Sequence, residues 1–106
     1  MIAIVQTSFS SKREAKHSAN LLLENSYCAC CKIIGPVDSM YRWKDSICSE
    51  KEYILHIKTT KKAISTVIKA IEECHPYDCP EILVIPIITS GEGYKHWVNK
   101  EVKLPD

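Results

Sequence analysis

A chain of 106 residues has room for one domain around one core, so residues 1-106 are expected to form a single unit. Apolar residues make up 45% and charged residues 25%, which excludes a disordered or collagen-like chain. The net charge of +1 provides no field to recruit nucleic acid or an anionic membrane, and no run of about 18 apolar residues exists to span a bilayer. The opening Met1-Ile2-Ala3-Ile4-Val5-Gln6-Thr7 lacks a basic flank, and its apolar run is too short for a signal peptide. A cytoplasmic location is expected.

Residues 2 to 9 are dense in β-branched side chains and read as a first strand, apolar on both faces. Ser11-Lys12-Arg13-Glu14 fits a capping box, and Ala15, Ala19, Leu22 and Leu23 then recur at helical spacing until Asn25-Ser26. Tyr27 to Ile34 reads as a second strand, closed by the turn pair Gly35-Pro36. Val37 to Trp43 extends again, and Lys44-Asp45-Ser46 offers a turn before another short strand. Tyr53, Leu55 and Ile57 alternate with Ile54, His56 and Lys58, the period-two pattern of a third main strand. Thr60 is placed to cap a second helix carrying Ile64, Val67, Ile68 and Ile71 on one stripe. That helix must stop before Pro76, because a proline forces the preceding residue out of the helical region. Glu81 to Ile88 reads as a fourth strand, with Pro86 marking an edge or a bulge. Tyr94 to Val102 reads as a terminal helix with Trp97 and Val98 inward.

The order β-α-β-β-α-β with a short C-terminal helix predicts an α+β, ferredoxin-like sandwich. Two helices cover one face of a four-stranded sheet. Because the first and last strands are apolar on both faces, the other face calls for a second cover. Another copy of the chain is the simplest one.

Six cysteines raise the question of a disulfide framework. On an extended stretch Cys28 and Cys30 would lie about 6.6 Å apart with parallel side chains, a poor geometry for a bridge. Reduced thiols packed as small apolar groups are the default. No phosphate loop, dinucleotide fingerprint or nucleophile elbow is present, and Glu50 with Glu52 fits a guarded strand end better than an acid–base pair. His17 lies on a polar helix face, His96 receives no role, and His56 fits a satisfied core or interface histidine. The chain is therefore not expected to be an enzyme. Soft donors do occur at Cys28-Ala29-Cys30-Cys31 and Cys74-His75, and these suit copper or zinc. Adjacent residues of an extended stretch point to opposite faces, so a metal site would need ligands from several elements or subunits.

Tyr41-Arg42-Trp43-Lys44-Asp45, Ile57-Lys58-Thr59-Thr60 and His75-Pro76-Tyr77-Asp78-Cys79-Pro80-Glu81 resemble the signature blocks of the CutA divalent-cation tolerance family. Ala29-Cys30 is similar to that family's second strand, and Tyr94 with Trp97 to its C-terminal Tyr-x-x-Trp. The blocks fall in family order across nearly the whole chain. The resemblance implies a ferredoxin-like fold, a homotrimer similar in plan to the PII signalling proteins, and a non-enzymatic part in tolerance of divalent metal ions. It also implies copper binding, and by position it assigns metal ligation to His75 and Cys74. Where the family's first-strand copper ligand is a cysteine, this chain has Gln6, and an amide is a poorer copper ligand than a thiolate. Tyr41, Arg42, Trp43, Tyr77 and Glu81 then mark an intersubunit cleft. An alternative reading makes that cleft a PII-like regulatory site for a small anionic ligand or a partner protein. The same residues also suit a purely structural interface.

Overall fold

The computed structural model describes residues 1–105. Strand β1 (Ile2–Phe9) leads to helix α1 (Lys12–Glu24) and then to strands β2 (Cys30–Trp43) and β3 (Ser46–Thr60). A 3-10 turn at Lys61–Ala63 opens helix α2 (Ile64–Cys74), followed by strand β4 (Leu83–Pro86) and helix α3 (Glu92–Glu101). The four strands form one antiparallel sheet in the order β2-β3-β1-β4, the ferredoxin-like arrangement expected from the element order.

Helices α1 and α2 pack on one sheet face. There Val5, Phe9, Leu55 and Ile57 meet Ala15, Ala19 and Leu22 of α1 and Val67 and Ile71 of α2. Each large side chain fully buried in this way contributes about 1.5–3 kcal/mol. The start of α1 follows from its cap: the Ser11 hydroxyl accepts a hydrogen bond from the Glu14 amide at 3.2 Å. Helix α2 ends where Pro76 requires, with His75 in extended backbone. Its start departs from expectation, since Thr60 makes no side-chain cap and the 3-10 turn supplies the transition instead.

The opposite face is not wholly bare. Helix α3 packs on β1 and β3, and its Val98 is fully buried outside the main core cluster. Trp97, expected inward beside Val98, is only partly covered, at 41% exposure. The chain therefore supplies a partial second cover from its own third helix. Beyond α3, Leu83, Ile85 and Ile34 of that face remain substantially exposed.

The larger departures lie in β2 and β3. The pair Gly35-Pro36 does not close β2. Ile34 pairs with Ile54 and Val37 with Glu52, so β2 carries one extra residue there and continues to Trp43 across a bulge. The punctuation that reads as a turn is absorbed within the ladder. Strand β3 likewise runs unbroken from Ser46, where two shorter strands were expected. Beyond the bulge the two strands pair only with each other, as a ribbon closed by Lys44 and Asp45, both at positive φ (48° and 64°). The ribbon gives the molecule its length, 44 × 27 × 21 Å. Strand β4 is shorter than expected and lies at the sheet edge, where Pro86 needs no partner on its outer side.

Gly35 is required at the bulge. Its φ is 155°, and a Cβ there would come within 2.9 Å of both the Glu52 carbonyl oxygen and Tyr53 Cδ2. Gly35→Ala is expected to cost about 2 kcal/mol or more, read from urea unfolding at fixed protein concentration. Gly93→Ala, whose Cβ meets nothing within 4 Å in α3, should instead stabilise by about 0.5–1 kcal/mol. Equal effects of the two substitutions would contradict the steric account.

Candidate functional site

The residues singled out in the sequence fall in three places. The first is the end of α2. Cys74 is its last helical residue, and His75 turns away in extended backbone, so the two side chains diverge. Cys74 Sγ lies 3.4 Å from Ser18 Oγ of α1, half-buried at the wall of an open groove shared with Arg13 and His17. His75 points into the protein. Its Nε2 donates to the Ser8 carbonyl oxygen at 2.7 Å, and its Nδ1 accepts from the Tyr77 amide at 3.2 Å. A carbonyl can only accept, so Nε2 carries the hydrogen and the Nδ1 lone pair is taken. The ring also stacks on Phe9, with centroids 4.3 Å apart and planes at 12°. In this arrangement His75 joins the end of β1 to the loop after α2 and has no lone pair left for a metal.

Tyr77 continues the same contact. Its ring lies 4.7 Å from that of His75, and its hydroxyl donates to Glu52 Oε2 at 3.0 Å. Burial, reinforced by the Glu52 carboxylate, pushes the phenol up to about 12. Tyr77 therefore stays protonated and acts as a donor.

The second place is the ribbon. The Tyr41 hydroxyl donates to Glu50 Oε1 across the strand pair, and this bond is the main reason its pKa is pushed up to about 12. Arg42 and Trp43 stand exposed near the ribbon turn. The one ion pair among the described residues is Lys51 with Asp38, so Arg42 has no carboxylate partner among them.

The third place is the open sheet face, where Glu81 meets the residue that replaces the family cysteine. Gln6 Nε2 donates to Glu81 Oε2 at 3.2 Å, and Gln6 Oε1 accepts from His56 Nε2 at 2.8 Å. His56 is hydrogen-bonded, as expected of a satisfied core or interface histidine. That one amide bridges an imidazole and a carboxylate is not legible in the sequence, since neither spacing nor periodicity brings residues 6, 56 and 81 together. The β1–β3 register does so, by setting Gln6 directly opposite His56. Among the described residues no group of three or more His, Cys, Asp or Glu side chains converges to hold a metal ion.

Two outcomes are expected. His75→Ala leaves the Ser8 carbonyl and the Tyr77 amide unpaired and removes the Phe9 stack, at a cost of about 2–3 kcal/mol in urea unfolding. A loss under about 0.5 kcal/mol would show the contacts to be incidental. For His56, burial first and Lys58 second lower the pKa from its usual 6.5. The unfolded chain then binds the proton more readily, so the stability linked to His56 is full above 6.5 and is lost as the pH falls toward the folded value. The pH dependence of unfolding below 6.5 should be flatter in His56→Gln than in the parent chain.

Comparison with known proteins agrees with this architecture. The family model described as CutA1 divalent ion tolerance protein matches residues 3–101. A divalent-cation tolerance protein CutA from Thermus thermophilus is 30% identical over 94% of this chain and 97% of its own length. Protein CutA of Mus musculus is 28% identical over 85% of this chain and 51% of the mouse protein. Among solved structures, CutA1 from Ehrlichia chaffeensis superimposes with a TM-score of 0.93 at 31% identity, covering 97% of this chain and 96% of that one. With the fold, the order of the motif blocks and these matches in agreement, the chain belongs to the CutA1 divalent ion tolerance protein family.

Proposed function

We propose that this chain acts as a non-catalytic homotrimer in tolerance of divalent metal ions. The observation that carries the reading is the ribbon of β2 and β3. An isolated two-stranded ribbon is at best marginally stable in water, and this one presents Met40, Trp43 and Ile47 at 71%, 58% and 71% exposure. Apolar side chains on a protruding ribbon, together with Leu83, Ile85 and Ile34 on the open sheet face, are what further copies of the chain would cover. The divalent-ion role is supported by family membership.

Copper is the proposed ion. Half-buried Cys74 offers an accessible soft donor, whereas His75 could ligate only after its Nδ1 releases the Tyr77 amide. Complete ligand sets would draw on neighbouring subunits, because one chain gathers none among its described residues. The alternative reading, a small anionic ligand held in an intersubunit cleft, is favoured by one observation: Arg42 pairs with no carboxylate among the described residues.

Native mass spectrometry should give three times the chain mass, and Met40→Asp with Ile47→Asp should shift the population toward monomer. A monomeric parent chain would overturn the assembly. Titration of the reduced protein with copper(I) under anaerobic conditions should show at least tenfold weaker binding in Cys74→Ser and a smaller loss in His75→Ala. Identical affinity in all three would remove both residues from the proposal.

A further inference from the structure

Cys28 and Cys31 stand in the connection between α1 and β2. A strand running from Tyr27 would send side chains three apart to opposite faces. The ladder starts only at Cys30, however, and the backbone bends at Tyr27 and Ala29 just before it. That bend is held by the Ala29 amide on the Lys58 carbonyl at 2.9 Å and by the Thr59 hydroxyl on the Tyr27 carbonyl at 2.6 Å. It carries Cys28 into the core cluster, against which Cys31 also packs, and sets the two sulfurs 3.6 Å apart. Cys30 pairs with Lys58 and takes the other face, near Tyr94. Three crowded thiols thus separate into a matched pair and a single.

We propose that Cys28 and Cys31 form a redox-active dithiol, which a low-molecular-weight disulfide converts to an intramolecular disulfide. Both are free thiols, and their sulfurs already touch, so closure asks for little backbone movement. Cys28 is only 2% exposed and Cys31 is partly exposed, so Cys31 is the entry point. It gives up its proton and attacks one sulfur of the small disulfide, expelling the first small thiolate. Cys28 then loses its proton and attacks Cys31 Sγ of the mixed disulfide, expelling the second. Two electrons pass from the pair to the small disulfide, and the two protons end on the two small thiols.

The hydrogen bond with Cys28, and then burial, push the Cys31 thiol above its usual range. Thiolate is therefore scarce and exchange is slow, which makes equilibrium the proper readout. Cys31 shares its sheet face with Ile57, on the helix-covered side. Assembly through the open face and the ribbon would leave it where it is.

The test equilibrates the full-length reduced chain, without denaturant, in mixtures of reduced and oxidised glutathione. Free thiols are then alkylated and the peptides mapped by mass. The expected result is a species lacking two hydrogens, with Cys28 joined to Cys31, that grows with the oxidised fraction and reverses in excess reduced glutathione. Cys30→Ala should still form it, whereas Cys31→Ala and Cys28→Ala should stop at a mixed disulfide or remain reduced. Full alkylation of Cys28 and Cys31 in oxidised glutathione alone would overturn the proposal, as would a bridge that maps to Cys30. The parent chain decides between these outcomes even if a variant fails to fold.

Discussion

The two-sided pairing of β1 is the constraint to which the other elements answer. Its edges bond to β3 and β4, and its side chains are buried toward α1 and α2 on one face and partly toward α3 on the other. Even its last carbonyls are used, since Ser8 anchors His75 and so fixes the loop between α2 and β4. A strand bonded on both edges has no register freedom, and a one-residue slip would turn Val5 and Phe9 out of the core. The Gln6–His56 bridge and the anchoring of His75 on Ser8 both follow from that register.

Much of this was legible in the residues. Alternation at Tyr53, Leu55 and Ile57 placed β3, the Ser11 cap placed α1, and Pro76 placed the end of α2. Local chemistry decides those features, and local chemistry can be read. Gly35-Pro36 misled because the same residues that break a strand at a turn also carry a bulge. Only the pairing partner, Glu52 opposite Val37, distinguishes the two. The third helix was foreseen, but not its cover of the second sheet face, because a single inward residue, Val98, decides that placement.

At the candidate site the balance shifts. The motif blocks identified the family, yet they could not show how each polar atom is engaged. His75 resembles a ligand in sequence and is a doubly bonded anchor in the structure. Gln6 looks like the loss of a ligand and proves to be a bridge between His56 and Glu81. An ideal strand from Tyr27 would send Cys28 and Cys31 to opposite faces, and the bend at Tyr27 and Ala29 brings their sulfurs together instead. In each case the deciding quantity is a contact between residues distant in sequence or a departure from ideal strand geometry.

The two-residue turn at Lys44 and Asp45 has a kinetic consequence. Trp43 finds Ser46 across the shortest loop that two strands can share, whereas Val5 must find Ile57 across roughly fifty residues of chain. Loop-closure entropy therefore favours early formation of the ribbon and late arrival of the central strand. The chain would then display the apolar side chains of the ribbon before its own core is complete. In the trimer proposed above, the length of that interval would govern whether copies of the chain meet as finished domains or as partly folded ones.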